Sequence, residues 1–499
     1  MKTKPITAKI ATAVIGLSLA ASAVAGLTDL STSPLVTSSS SSVLPNIFLM
    51  MDDSGSMNWD YMPDVGNNPV FGTSKYGYAS NQCNGVFYNP AIKYLPPITY
   101  DGVTSYSNAS FTGAWMDGYK TSLGTLNLST GFTLGLYQSY SAPGGGVPAY
   151  YYNYLGTQTA DSQKNYYKST TTFYKECNTT AADNPTATLT VSGSGSTSVT
   201  SITVNGVSIM SGASTANTST STVAANIAAK ITAAGYSATA SGSTVTITGP
   251  ASAAAILPVV TQTGGMSIAP SAFTPFAKVV VSATSGPGGT DERQNFANWF
   301  SYYRTRINMM KSGTGFAFRS LDNHYRVGFA TMNNNGGSKF LNLATFDATQ
   351  KQNWYTMLYS TSVNNSTPLL KALSNVGRMY GNKLTTLNGV AVSDPMQYSC
   401  QQNFTILSTD GFWNDATNYD LNGNKVNNQD GDQPRPYNDG ATSTVTEATP
   451  TSSTVRNQTD TPKTVTIKWS RDSITTDATK GGGTCTNKKY RVTTQNQFY

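Results

Sequence analysis

Residues 46–57 read NIFLMMDDSGSM, and this stretch decides the fold. The run before Asp52 is short and apolar throughout, which is typical of a strand buried on both faces of a parallel sheet. Asp52 opens the pattern Asp52-x-Ser54-x-Ser56, which places one carboxylate and two hydroxyls at alternate positions of a tight turn. Oxygen ligands of this kind suit hard divalent cations such as Mg²⁺. Because open α/β sheets bind ligands at the carboxyl ends of their strands, the stretch predicts an α/β fold with a metal site.

Two later segments carry groups that could complete such a site. Thr367 precedes Pro368 at the start of a predicted helix, where it could be the N-cap with proline in the first helical position. Capping alone would therefore also explain Thr367. Residues 404–407 are predicted as another buried strand, which leads to Asp410. The order of the three segments favours the ligand role for Thr367 over the cap.

Together the three segments resemble the metal-ion-dependent adhesion site (MIDAS) of von Willebrand factor A domains. The resemblance implies a Rossmann-like α/β fold, with a mostly parallel sheet and helices on both faces. It also implies that the hydroxyls bind Mg²⁺, Mn²⁺ or Ca²⁺ and that the carboxylates act directly or through water. One metal position would remain open for an acidic group of a partner. The implied metal residues are Asp52, Ser54, Ser56, Thr367 and Asp410.

Asp53 is an additional carboxylate beside the predicted site. It could tune the charge of the site or lie in solvent, and we expect it to be solvated.

The chain begins with the features of a secretory signal peptide. Lysines at positions 2, 4 and 9 precede an apolar run, and small residues at 23–25 offer a cleavage site. No later stretch is apolar enough for a membrane span, so none is expected in the mature chain. The predicted organisation is a signal peptide (1–25), a flexible leader (26–44), a von Willebrand factor A-like domain (45–57 and 290–440), a Tyr/Gly/Asn-rich insertion (58–183), a small ββαββ insertion with linker (184–289) and a β-rich carboxy-terminal extension (441–499).

Charge and composition exclude several function classes. Removal of the three signal-peptide lysines leaves 29 of the 32 basic residues and all 25 acidic residues. The net charge is then about +4, and no basic cluster is present. Nucleic-acid binding is therefore not expected. His324 is the only histidine, and no Gly-x-Ser-x-Gly elbow is present, so we do not expect an enzyme.

The mature chain would contain four cysteines, namely Cys83, Cys177, Cys400 and Cys485. An even number in an exported chain indicates two disulfides, although free buried thiols remain an alternative. Three pairings are possible. Proximity in sequence favours Cys83–Cys177 and Cys400–Cys485.

The two insertions and the following segment give further structural expectations. The tyrosines of 58–183 could form a recognition surface or simply pack a loop-rich lobe. The ββαββ module carries almost no charge, so we expect a structural role. Apolar residues from Phe296 to Met310 predict one helix of about five turns, ended by Gly313 and Gly315.

A narrower resemblance covers about residues 45–100 and 291–440. In these regions the chain is similar to the amino-terminal half of PilC/PilY type IV pilus tip-associated proteins. The segments that carry this resemblance are CNGVFYNP (83–90), YLPP (94–97), NFANWFSYYRTR (295–306), TDGFWN (409–414) and GDQPRPY (431–437), in addition to the first stretch.

This resemblance implies an exported protein at the pilus tip, on the surface or outer membrane, or in periplasmic transit in a Gram-negative bacterium. The implied function is that of an adhesin (cell adhesion, fimbrium) and pilus-assembly factor that supports twitching motility. Its expected partners are minor pilins and an acidic ligand on a host or abiotic surface. The alternative is a structural pilus-priming or tip scaffold with an inert A-domain. Because family members usually carry a carboxy-terminal β-propeller, we expect this chain to be a fragment or a shortened member.

Overall fold

A computed structural model describes residues 43–426 except 66–67, 70–71, 136–145, 158–173, 334–338, 364–365, 399, 412 and 415–416, together with four short strands beyond residue 440. The predicted signal peptide, the leader up to residue 42 and most of the predicted carboxy-terminal extension lie outside the described residues.

The helices in the described residues are Thr220–Ala228 (α1), Arg293–Tyr302 (α2), Arg306–Phe318 (α3), Ala348–Ser360 (α4) and Leu369–Tyr380 (α5). The strands are Asn46–Met51 (β1), Asp64–Val65 (β2), Asn68–Pro69 (β3), Ala114–Trp115 (β4), Thr125–Leu126 (β5), Tyr150–Tyr154 (β6), Thr186–Ser192 (β7), Ser198–Val204 (β8), Val207–Ser208 (β9), Ser237–Ser241 (β10), Thr244–Thr248 (β11), Val259–Thr263 (β12), Ser267–Pro270 (β13), Phe276–Val280 (β14), Arg326–Thr331 (β15), Phe340–Thr345 (β16), Thr386–Leu387 (β17), Val390–Ala391 (β18), Asn403–Ser408 (β19), Ser443–Val445 (β20), Lys463–Val465 (β21), Ile467–Trp469 (β22) and Gln495–Gln497 (β23). In this part of the chain no helix is long and apolar enough to cross a bilayer.

A four-stranded sheet in the order β16-β15-β1-β19 forms the centre of the fold. Strand β1 pairs in parallel with β15 on one side and with β19 on the other. Strand β16 pairs with β15 in the antiparallel direction. The prediction of an α/β fold is confirmed.

Helices cover both faces of this sheet because β1 is apolar on both sides. Leu49 packs in one cluster with Trp354 of α4 and Ile307 of α3. Phe48 packs in a second cluster with Val376 of α5 on the opposite face. The alternation of side chains along a strand sends neighbouring residues to opposite faces, so an apolar run without polar interruption is what this position requires.

The single helix predicted from Phe296 to Met310 is wrong. The structure has two helices, α2 and α3, and Gly313 lies inside the second one. The break occurs at Thr305, which has extended backbone angles (φ −105°, ψ 157°) and accepts the Asn308 N–H through its side chain. This N-cap starts a new helix, although the apolar spacing continues across the break.

The strand predicted at residues 404–407 is present as part of β19, but its predicted burial is wrong. Phe404 is 47% exposed and Ile406 is 44% exposed. Among the described strands β19 pairs only with β1, so it lies at the edge of the sheet. An apolar sequence does not distinguish a central strand from an edge strand.

The first insertion forms a lobe around an aromatic cluster that also includes residues of α2. The predicted Cys83–Cys177 disulfide is confirmed. Cys485 lies outside the described residues, so its pairing with Cys400 remains a prediction. Most tyrosines in the described part of the lobe pack its interior, as the second alternative proposed. Those that are buried are Tyr61, Tyr76, Tyr78, Tyr88, Tyr94, Tyr151, Tyr152 and Tyr154.

Residues 186–270 form a separate cluster of two sheets around α1. The sheets have the orders β10-β11-β7-β13 and β12-β8-β9. Strands β12 and β13 were not predicted, so the module is larger than ββαββ. Thr186 and Thr274, at its two ends, are joined by an N–H···O=C bond of 2.8 Å and an N–H···Oγ1 bond of 3.0 Å.

Candidate functional site

The parallel pairing of the sheet brings three loops to one edge. Met51, the last residue of β1, lies in register with Thr331 of β15 and Ser408 of β19. The chain segments that follow these residues therefore start side by side. The Asp52 N–H continues the ladder by donating to the Ser408 carbonyl (2.9 Å).

Asp52 is fully buried at the start of the first loop. Its Oδ1 accepts the Ser54 N–H (2.8 Å), and its Oδ2 accepts the Thr409 hydroxyl (2.8 Å). The hydroxyls of Ser54 and Ser56 lie 3.1 Å apart. Burial raises the pKa of Asp52, the Ser54 hydrogen bonds lower it, and the negative charge of Asp410 raises it again. The two carboxylates therefore interact electrostatically.

Thr367 lies in the segment that joins α4 to α5, and it is 5% exposed. Its N–H donates to Oδ1 of Asn414, which belongs to the third loop (2.7 Å). Helix α5 begins at Leu369, with Pro368 at the N-cap position and no capping side chain. The predicted cap with proline at the first helical position is therefore wrong, and capping does not account for Thr367.

The expectation that Asp53 is solvated is also wrong. Asp53 is fully buried, and its Oδ1 accepts both the backbone N–H (2.8 Å) and the side-chain amide (3.1 Å) of Asn333. The same Asn333 side chain donates to the Ser366 carbonyl (2.8 Å). Asn333, in the loop after β15, thereby connects the loop after β1 to the segment of Thr367. Asn414 connects that segment to the loop after β19. Neither asparagine was singled out from the sequence.

Asp53 gives the site a pH dependence. Its burial raises the pKa from 3.8 to about 6, which makes ionisation costly in the folded state. Below the pKa of Asp53 in the unfolded chain (3.8), the carboxyl is protonated in both states and burial has no ionisation cost. Above its pKa in the folded chain (about 6), the carboxyl is ionised in both states and the folded chain bears the full cost of burying the charge. The free energy of unfolding should therefore fall by on the order of 2–3 kcal/mol as the pH rises from about 4 to about 6.

The change Asp53→Asn should remove this fall, because an asparagine oxygen can still accept from Asn333 without ionising. We expect the variant to match the unmutated chain near pH 4 and to be more stable at pH 7, in urea unfolding with a chelator present. Equal stability of the two chains at both pH values would contradict the prediction.

Asp410 forms a buried ion pair that the sequence analysis missed. Its Oδ2 accepts from Nη1 of Arg306 (2.7 Å), and the two side chains are 2% and 3% exposed. Arg306 Nε donates to the Tyr61 carbonyl (2.8 Å), and the guanidinium lies over the rings of Trp59 (5.0 Å) and Tyr61 (5.3 Å). The only feature of the sequence that pointed to Arg306 was its position at the end of segment 295–306, one of the segments that carry the family resemblance.

The residues of this edge fit a divalent cation. The other carboxylate oxygen of Asp410, Oδ1, is buried and has no hydrogen-bond partner among the described residues. A buried acceptor of this kind is costly unless a donor or a cation satisfies it. The oxygens that Asp52, Ser54 and Ser56 offer in the first loop are the type that Mg²⁺ prefers. The individual ligand roles, including that of Thr367, stay predictions.

Comparison with known proteins gives three curated relatives, each named type IV pilus biogenesis factor PilY1, from strains of Pseudomonas aeruginosa. The strain PAK protein is 25% identical over 442 residues, which cover 81% of this chain and 27% of the relative. The UCBPP-PA14 protein is 26% identical over 393 residues, covering 74% and 23% of the two chains. The PAO1 protein is 34% identical over 179 residues, covering 32% and 15%.

The matched part of the chain thus corresponds to about a quarter or less of each relative's length. No protein-family profile matches the chain, and no solved structure matches it. The matches to the PilY1 proteins support the chain's resemblance to the PilC/PilY family.

Proposed function

We propose that this chain acts in type IV pilus biogenesis and adhesion, and that it binds an acidic partner through a divalent metal at the β1 edge. The names of the relatives support the pilus role. The observation that carries the metal role is the buried Oδ1 of Asp410, which has no hydrogen-bond partner among the described residues, on a carboxylate that interacts electrostatically with Asp52. In this proposal the sheet and its helices form a von Willebrand factor A-like domain, and the chain has no enzymatic activity.

In the proposed mechanism the hydroxyls of Ser54, Ser56 and Thr367 would hold the ion, and the carboxylates of Asp52 and Asp410 would balance its charge. The bound ion supplies an electrophilic position for a carboxylate of the partner. The protein's own contribution is to hold three loops in place before the ion arrives, which reduces the ordering cost of binding.

The aromatic residues Trp59 and Tyr61 directly follow the first loop and surround Arg306. They therefore form one wall beside the proposed site. We propose that minor pilins and a host or abiotic surface ligand are the partners, with the acidic group coming from one of them.

Calorimetric titration of Mg²⁺, Mn²⁺ and Ca²⁺ into the chelator-stripped chain tests the metal site. We expect saturable binding that Asp52→Asn and Thr367→Ala each weaken by more than about tenfold, since the first removes a negative charge and one carboxylate oxygen and the second removes a hydroxyl. Thr361→Ala is the matched control, because Thr361 is equally buried (3% exposed) but bonds only within its own helix end, to the Met357 carbonyl. This control should bind the metal normally.

A structural pilus-priming scaffold with an inert domain is the second candidate. The Arg306–Asp410 pair favours it, because an internal cation already neutralises one of the predicted metal carboxylates. Absence of metal binding by the unmutated chain, together with normal pilus assembly by Asp52→Asn, would support the scaffold and overturn the adhesion mechanism.

A further inference from the structure

We propose that Arg306 is an internal cation that competes with the divalent metal for Asp410, so that metal binding releases the arginine from this carboxylate. This inference rests on the proposed function of the site. It adds Arg306 as a residue that lowers the affinity of the site for the metal.

The ion pair between Arg306 and Asp410 is buried on both sides. The Nη1–Oδ2 distance is 2.7 Å, and neither side chain is more than 3% exposed. A buried carboxylate without a cation is strongly destabilising, so one positive charge is needed here in the absence of a metal. Arg306 supplies that charge in the folded chain.

Asp410 divides its two oxygens between two environments. Oδ2 is held by the guanidinium, whereas Oδ1 is buried without a hydrogen-bond partner in the described part of the chain. A divalent ion at Oδ1 would lie close to the guanidinium on the same carboxylate. Two cations repel each other strongly where water is excluded. Metal binding and the Arg306 contact should therefore oppose each other.

Arg306 also connects the site to the start of the first insertion. Its backbone N–H donates to the Trp59 carbonyl (3.0 Å), and its Nε donates to the Tyr61 carbonyl (2.8 Å). A guanidinium that leaves Asp410 must also shift against the rings of these two residues. Metal binding should thus change the contacts of residues 59–61, where the chain enters the aromatic lobe.

The decisive variant is Arg306→Gln, which removes the charge and keeps most of the side-chain length. It should be less stable than the unmutated chain in chelator, because Asp410 loses its cation. It should bind Mn²⁺ about tenfold more tightly or better, and Mn²⁺ should raise its Tm by more than it raises that of the unmutated chain. Arg306→Lys retains the charge and should bind Mn²⁺ much as the unmutated chain does.

Arg304→Gln is the matched control. Arg304 is buried to the same degree (3% exposed), but its Nη2 donates to the Met116 carbonyl (2.8 Å), and the carboxylate with which it interacts electrostatically is that of Asp60. Its substitution can lower stability but should leave the Mn²⁺ affinity unchanged. This control separates an effect of losing any buried arginine from an effect of uncovering Asp410.

Three results have distinct meanings. Tighter Mn²⁺ binding by Arg306→Gln alone supports the competition, even if the unmutated chain binds too weakly to measure. Unchanged or weaker binding by a folded Arg306→Gln, with normal binding by the unmutated chain, overturns the competition and leaves the metal site intact. No binding by any variant overturns both proposals.

Hydrogen exchange of the unmutated chain provides a test that needs no variant. Addition of Mn²⁺ should increase exchange in peptides that cover residues 59–62 if the guanidinium is displaced. Saturating Mn²⁺ that leaves exchange in this segment unchanged, or slows it, would also overturn the competition.

Discussion

Replacing both Cys83 and Cys177 with alanine is expected to lower the free energy of unfolding of the first insertion lobe by about 4–5 kcal/mol. The disulfide joins residues 94 positions apart, so its loss frees a long loop in the unfolded chain. Both cysteines are buried in the aromatic cluster, and alanine avoids placing a hydroxyl there.

Denaturant unfolding followed by near-UV circular dichroism of the buried tyrosines measures this change. Reduction of the unmutated chain provides the comparison, since it opens the same loop without changing a side chain. A loss below about 1 kcal/mol in the double variant would mean that the unfolded lobe stays compact without the disulfide.

Replacing Trp299 with alanine is expected to destabilise the chain by about 3–5 kcal/mol. Trp299 is 1% exposed, and its Nε1 donates to the Val86 carbonyl (3.0 Å). Its ring lies 5.0 Å from that of Phe87 and 4.9 Å from that of Phe296. The substitution leaves a large cavity between α2 and the insertion lobe, and it also leaves a buried carbonyl without its donor.

Urea unfolding of Trp299→Ala beside Trp413→Ala tests this prediction. Trp413 is 52% exposed, so its removal should change the free energy of unfolding by less than about 0.5 kcal/mol. Similar effects of the two substitutions would contradict the role of Trp299 as the residue that joins the helix to the lobe.

The part of the fold that depends on local sequence was predictable. An apolar run that ends in Asp52 specifies a strand that is buried on both faces and is followed by a polar loop. Strand β1 has this form. The Asn205-Gly206 turn also depends on its local sequence, because both residues have positive φ (50° and 78°) and asparagine and glycine tolerate this conformation best. These features depend on side-chain type and backbone preference within a few residues.

The features that sequence reasoning missed depend on distant parts of the chain. Nothing near Asp410 indicates that Arg306 pairs with it, since the two are 104 positions apart. The local sequence of Asp53 suggests a solvent-exposed carboxylate, because the residue that donates to it, Asn333, lies far away in the chain. The exposure of β19 is likewise decided by its neighbours in the sheet rather than by its own residues.

The paired ends of the module that begins at Thr186 and ends at Thr274 have an evolutionary consequence. Because two hydrogen bonds hold the ends together, the chain leaves the lobe and re-enters it at one place. Selection can then lengthen, exchange or delete the module with little effect on the residues that surround it. A laboratory can use the same paired ends to replace the module with a reporter domain and keep the sequence of the remaining chain unchanged.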